Sequence, residues 1–330
     1  MYAEKNKVQT HLAAYLLSGM LQTKTGRSHQ AIRNPSLLPA LRGHLQTLLP
    51  YFLRRISLPP GEKMEINLRD GDFVDAVFRK GGGKGLVIIS HGLEGSSNSS
   101  YVLALSRRYL AMGWDVLAWN FRACSGRLNR LPRLYHSGAT EDLEDVIDFS
   151  HQMGKPERIR LAGFSLGGNL TLLCLGKKSA WLRERGVESA LAISPPLNLA
   201  ASSAKLNRWW NRLYELRFLR DLKRKISMKE GQFPGRYPLP QIMTSGSLGE
   251  FDHRCTAPLH GFDGAEDYYR RCSCLYELRN IEIPVLLLIA RNDPMLARGN
   301  YAEVMKINPK IRFMLTDEGG HCGFGGSGLL

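Results

Sequence analysis

At 330 residues, 43% hydrophobic and 23% charged, the chain has the composition of a globular protein with a substantial core, which excludes a disordered chain. A formal net charge of +15 points either to anionic surroundings, such as phospholipid head groups, or to a generally basic surface. No aromatic-studded RNA motif or zinc-finger spacing accompanies that charge, so no nucleic-acid partner is expected, and six scattered cysteines without a CxxC pair or secretory signal suggest reduced thiols in a cytoplasm.

Residues 1–33 read as an N-terminal extension. Its apolar part, Leu12 to Leu21, is too short and interrupted to span a bilayer, and reads as a surface helix packed on the body or an interfacial amphipathic helix. A cytoplasmic protein, peripheral at most to the inner face of the membrane, is the expectation.

Alternating polar and apolar residues in "KMEINLRDGDFVDAVFRK" predict two strands around a turn at Asp70 and Gly71. Then come the short, nearly continuous apolar runs "GLVIISHG", "DVLAWNF", "RIRLAGF", "ESALAISP", "IPVLLLIA" and "IRFMLT", which suit strands buried on both faces. Helical patterns separate them at Ser99 to Met112, Thr140 to Met153, Gly168 to Lys177 and Arg298 to Ile307. Strand, helix, strand, repeated, predicts an α/β fold with a mostly parallel central sheet and helices on both faces. Asp142, Glu144, Asp145 and Asp148 read as an exposed acidic helix face rather than a calcium loop.

From about residue 197 to 277 no strand run appears, and the interval is too long for a simple connection. It reads as an inserted helical cap over the carboxyl edge of the sheet, where open α/β sheets bind ligands. Within it Leu206, Trp209, Leu213, Leu216 and Leu219 recur at helical spacing, opposite Arg208, Arg212, Arg217, Arg220 and Arg224. Trp209, Trp210, Tyr214 and Phe218 would line a substrate site while the arginines meet anionic lipid, or the stripe packs on the body and the arginines are solvated.

The segment "RIRLAGFSLGGNL" places Ser165 between a buried strand and an apolar helix, flanked by Gly163 and Gly167. A G-x-S-x-G turn in that context holds a serine in a strained conformation above the sheet, at a helix N-terminus that favours developing negative charge. A serine hydroxyl needs a base, and His321 in "DEGGHCGF" follows the last predicted strand; the base needs an acid, and Asp293 in "ARNDPML" follows the strand before it. Serine, then aspartate, then histidine is the chain order of the α/β-hydrolase triad. The amides of Leu93, in the turn "SHGLEG", and Leu166 are the natural oxyanion donors. His91 either braces that turn or is a packed core histidine, and His44, His136, His253 and His260 read as structural. No metal site and no cofactor are expected, because His253 with Cys255, or Cys272 with Cys274, is too little for zinc.

Beyond these residues, "GHLQT" (43–47), "SHGLEG" (90–95), "NFRACSG" (120–126), "YHSGATEDL" (135–143), "GFSLGGN" (163–169), "FDHRCTAPLHGF" (251–262), "YYRRCS" (268–273) and "GGHCGF" (319–324) resemble the YheT-like branch of the α/β-hydrolases. The resemblance runs from about Asn34 to Gly325. It implies a serine hydrolase of carboxylic esters, with Ser165, Asp293 and His321 at the family's nucleophile, acid and base positions, and a small-molecule or lipid ester as substrate. Two departures stand out. The family's acid motif usually has two adjacent aspartates, where this chain has Asn292 and Asp293; and family chains generally continue past the histidine loop into a final amphipathic helix, where this sequence reaches Leu330 in "GGSGLL". An esterase acting through an acyl-enzyme is the leading expectation. An acyltransferase with the same triad, and a weakly active or noncatalytic truncated member, are the alternatives.

Overall fold

The computed structural model describes residues 37–154, 156–297 and 301–324, so the expected N-terminal extension and the C-terminal end from residue 325 lie outside the described residues. The first residues of the helix expected from Arg298 lie outside them too.

Eight strands form one sheet: β1 (Glu62–Asn67), β2 (Phe73–Arg79), β3 (Leu86–Ser90), β4 (Asp115–Trp119), β5 (Ile159–Phe164), β6 (Val187–Ile193), β7 (Val285–Ala290) and β8 (Ile311–Thr316). Their spatial order is β1-β2-β4-β3-β5-β6-β7-β8. β2 runs antiparallel to both its neighbours and every other pairing is parallel. The turn between β1 and β2 closes where expected, with Gly71 at φ +84° and the Asp70 side chain accepting from the Asp72 amide at 3.1 Å.

Burial of both sheet faces follows from the period of two. All of β3 is buried, with Leu86 and Ile88 joining one core and Val87 and Ile89 the other. The first core is closed by α3 (Thr140–Gln152), through Leu143, Val146 and Ile147, and by α4 (Leu166–Glu184). The second is closed by α2 (Ser100–Ala111), through Val102, Leu105 and Tyr109, together with Cys322 and Phe324 from the loop after β8. Each fully buried aliphatic side chain there contributes about 1.5–3 kcal/mol. Before the sheet, α1 (Leu37–Leu53) carries the "GHLQT" segment, and after β7, α8 (Tyr301–Ile307) leads to β8.

The acidic face of α3 departs from the sequence reading. Asp142 and Glu144 are buried, not exposed, because each meets a guanidinium: Asp142 is gripped by Arg122 at 2.6 and 2.8 Å, and Glu144 accepts from Arg69 at 3.2 Å. Arg122 itself lies buried, and also pairs with Asp72 at 2.8 Å and Asp70 at 2.9 Å. A charge pattern shows which residues are ionic, not which of them find a partner from elsewhere in the chain.

Between β6 and β7 the chain is helical, with α5 (Leu199–Leu206), α6 (Arg212–Gln232), α7 (Ala265–Cys272) and shorter turns between them. The apolar stripe expected here is buried only in part: Leu219 is in the core and Leu206 packs against it. Trp209 and Leu213 are about four-fifths exposed and Leu216 is exposed, whereas α6 buries Tyr214, Glu215, Leu219, Leu222, Ile226 and Lys229. A separate 3₁₀ turn over Trp209–Asn211 breaks the helical register that joined Leu206 to Leu213 in the sequence pattern. The two buried charges are admitted because they are paired. Glu215 accepts from the Leu248 amide at 2.9 Å and from Arg212 at 2.7 Å, and Lys229 donates to the carbonyls of Asn129 and Leu131 at 2.5 and 2.7 Å.

Candidate active site

Ser165 stands between β5 and α4 with φ +50° and ψ −118°, a left-handed conformation that a serine adopts only where its surroundings enforce it. The flanking glycines are required by contact rather than by torsion. A Cβ on Gly163 would lie 2.2 Å from the Gly167 carbonyl oxygen, and one on Gly167 would lie 2.4 Å from that of His91. Larger residues would push the serine off the sheet edge.

His321 lies in the loop after β8, with Nε2 2.9 Å from Ser165 Oγ and Nδ1 2.9 Å from Asp293 Oδ2. Asp293, after β7, uses its other oxygen to accept from the amides of Met295 and Leu296 at 2.8 and 3.2 Å. Serine, imidazole and carboxylate thus form one hydrogen-bonded line. Burial pulls the imidazole pKa down, but the Asp293 carboxylate outweighs it and holds His321 well above the ordinary histidine range.

The sequence reading missed what holds that loop. Thr47 Oγ1 accepts from the His321 amide at 2.9 Å, Gln46 Oε1 accepts from the Gly319 amide at 2.9 Å and from Asn292 Nδ2 at 2.8 Å, and Asn292 Oδ1 accepts from the Gly320 amide at 3.0 Å. The helix α1 approaches so closely that a Cβ on Gly43 would lie 2.0 Å from the Asn292 carbonyl oxygen. The "GHLQT" segment and Asn292 therefore position the imidazole. The only sequence signal was the presence of the motif itself. On the other side, Lys205 of α5 donates to the Asp293 carbonyl at 2.9 Å and Asn211 to the Pro294 carbonyl at 2.8 Å, which fixes the loop of Asp293 against the helical segment.

Leu93 follows β3 in a turn closed by the Gly95 amide donating to the Gly92 carbonyl at 3.0 Å, and Leu166 opens α4. His91 fills both roles weighed for it. It is fully buried, and it braces the turn: Nδ1 donates to the Gly92 carbonyl at 2.7 Å while Nε2 accepts from the Phe121 amide at 3.1 Å. Only the neutral ring can do both, and burial pulls its pKa down to about 3. Lys225 of α6 reaches the same turn, pairing with Glu94 at 2.8 Å.

Two cavities open on Ser165 and His321. One, of about 110 Å³, is walled largely by apolar side chains including Leu93, Leu166, Phe218, Leu222 and Met295. The other, of about 750 Å³, carries Glu94, Asn98, Arg217, Arg224 and Lys225. Of the four aromatic residues expected in a substrate wall, Phe218 lines both cavities and Tyr214 the larger one, where its hydroxyl meets His44 Nδ1 at 3.0 Å. Trp209 and Trp210 line neither, because the 3₁₀ turn carries them to the surface. Among the described residues no group of three or more His, Cys, Asp or Glu side chains is placed to hold a metal ion.

Known proteins resemble this chain in sequence and in fold. The profile of the α/β hydrolase fold matches residues 85–326. The chain is 34% identical over 322 residues to YheT of Escherichia coli (strain K12), whose name carries a provisional esterase assignment, with 94% of this chain and 93% of that protein covered. It is 32% identical to the phospholipase ABHD3 of Mus musculus over 76% of this chain, and it spans 60% of that protein's length. Among solved structures the esterase Pf2001 of Pyrococcus furiosus shares the fold, with a TM-score of 0.51 at 18% identity over 80% of this chain and 88% of the other. Carrying both the profile over most of its length and the YheT likeness end to end, the chain belongs to the α/β-hydrolase family, in its YheT-like branch.

Proposed function

We propose that this protein is a serine hydrolase that cleaves carboxylic esters through an acyl-enzyme intermediate. The observation that carries the proposal is the unbroken line from Ser165 Oγ through the His321 ring to Asp293, each link 2.9 Å long. In this reading neutral His321 takes the hydroxyl proton through Nε2 as Ser165 Oγ attacks the ester carbonyl. The amides of Leu93 and Leu166 receive the oxyanion. The protonated imidazole, stabilised by Asp293, then gives its proton to the departing alcohol. Water enters next, loses a proton to His321 and attacks the acyl-enzyme, and the tetrahedral intermediate collapses to release the acid and return the proton to Ser165.

The esterase and lipase names of the relatives support an ester substrate, and the apolar cavity supports placing the acyl half there. Hydrolysis of p-nitrophenyl acetate, butyrate and octanoate tests the reading. Ser165→Ala should lower kcat by about 10⁵–10⁶-fold with unchanged melting. Turnover retained in that variant overturns the assignment.

Peripheral contact with an anionic membrane belongs to the same proposal. No helix among the described residues is long and apolar enough to cross a membrane. Yet Leu41, Leu45, Leu49, Phe52 and Leu53 of α1 are exposed, as are Trp209, Leu213 and Leu216, and Arg217 donates to Tyr51 at 2.7 Å where α6 meets α1. Exposed apolar side chains beside arginines suit an interface carrying negative lipid. Flotation with liposomes of anionic lipid, but not with neutral ones, is the expected result, and no flotation with either removes the membrane from the proposal.

A further inference from the structure

Three of the sequence segments have no part in the triad: residues 135–143, 251–262 and 268–273. The structure brings all three into the wall of the smaller cavity, through His136 and Ser137, Asp252 and Thr256, and Tyr268 and Tyr269. A wall that elsewhere is mostly apolar, Ser202 and Ser203 apart, thereby acquires a cluster of polar atoms, and a π-helical turn over Asp252–Thr256 sets part of it in place.

Most of these atoms are satisfied within the protein. Tyr268 Oη donates to Ser137 Oγ at 2.8 Å and accepts from the Ser137 amide at 3.0 Å. Tyr269 Oη and Thr256 Oγ1 each donate to one oxygen of Asp252, both at 2.6 Å. Two groups are left with capacity. The Asp252 carboxylate has lone pairs to spare on both oxygens and forms no ion pair among the described residues. Burial raises its pKa to about 6, while the hydroxyl donors from Tyr269 and Thr256 favour the ionised form.

His136 is the second group. It is 8% exposed, and its Nδ1 accepts from the Gly138 amide at 3.1 Å, with Cys272 Sγ 3.9 Å from the same nitrogen. Burial and the neighbouring His260 hold it well below the ordinary histidine range, so the ring is neutral and its proton sits on Nε2. That Nε2–H has no hydrogen-bond partner among the described residues.

The wall therefore offers an acceptor and a donor inside the cavity that opens on Ser165. A plain alkyl chain would leave the His136 Nε2–H unmet and would strip water from the spare lone pairs of Asp252. A hydroxyl suits either group, since it can donate to a carboxylate and accept from an N–H. We propose that the cavity is a subsite for a hydroxyl-bearing acyl group, which Asp252 and His136 recognise. The inference rests on the ester-hydrolysis reading and on seating the acyl half in the apolar cavity, with the leaving alcohol toward the larger, charged one.

The test is kcat/KM for p-nitrophenyl octanoate and for its hydroxylated isomers, with the hydroxyl moved stepwise along the chain from carbon 3. One isomer should be favoured over the plain ester by about ten- to a hundredfold, the range of a hydrogen bond to a charged group. That ratio should fall toward one in Asp252→Asn and in His136→Phe. A wild-type enzyme that prefers the plain ester to every isomer overturns the proposal, and so does a preference that survives both substitutions. The wild-type comparison stands even if neither variant folds. If no ester is turned over and a fluorophosphonate does not label Ser165, the hydrolase reading fails by itself. Calorimetric titration of Ser165→Ala with the hydroxylated acids and with octanoic acid then reads the subsite alone, where tighter binding of a hydroxy acid supports it and none overturns it.

Discussion

The sheet and the helical segment between β6 and β7 bury themselves by different means. In β3, β5 and β7 every residue is buried, nearly all are apolar, and the core clusters on the two faces are built of aliphatic and aromatic side chains. In the helical segment the buried set includes Glu215, Lys229 and Asn211, each held by specific partners at hydrogen-bonding distance. Apolar burial is non-directional and tolerates exchange of similar side chains. Polar burial is directional, and removal of one partner leaves the other stranded. Ser165, His321 and Asp293 stand where the two regimes meet, on loops that leave the sheet and are pinned by Gln46, Thr47, Asn292, Lys205 and Asn211.

The largest test of this contrast is Asp293→Asn. With Asn292 beside it no second carboxylate takes over, so kcat should fall by about 10³–10⁴-fold while the fold persists. The pH profile sharpens the result. A general base works only when deprotonated, and Asp293 raises the His321 pKa well above the ordinary value, so the wild-type rate should rise with pH along a limb displaced to the alkaline side. The residual rate of the variant should rise along a limb displaced toward lower pH. A limb that does not move would break the assignment of Asp293 as the partner of His321.

Next is Arg122→Ala. Asp72 and Asp142 stay behind, buried, without their guanidinium, and the cost should be about 3–5 kcal/mol by urea or guanidinium denaturation. A cost under about 1 kcal/mol, the range of exposed pairs, would show that the network is wetter than its burial implies.

The smallest effect lies in the helical segment. Leu219→Ala should cost about 2–5 kcal/mol, because Leu219 is 3% exposed, whereas Leu213→Ala, six residues earlier on the same helix and 80% exposed, should stay within about 0.5 kcal/mol. Equal costs would restore the stripe read from the sequence.

Much was legible without coordinates because the signals are local. Two-faced burial writes continuous apolar runs, so all eight strands stand where the runs lie, and a strained strand-to-helix turn demands Gly163 and Gly167 around Ser165. The order of Ser165, Asp293 and His321 after successive buried strands identified the three side chains that the structure brings together. What could not be read was pairing across distance. Asp142 and Glu144 look like a solvated face until Arg122 and Arg69 arrive from other parts of the chain. The exposed side of α6 looks apolar because its true inner face carries Glu215 and Lys229, whose partners are backbone groups that no pattern marks. Gln46 and Asn292, 246 residues apart in sequence, meet only through the tertiary structure. Local periodicity by itself determined the sheet, the elbow and the order of the site; the tertiary structure alone decided which charges are buried and what holds the histidine, because those depend on partners that sequence neighbours do not supply.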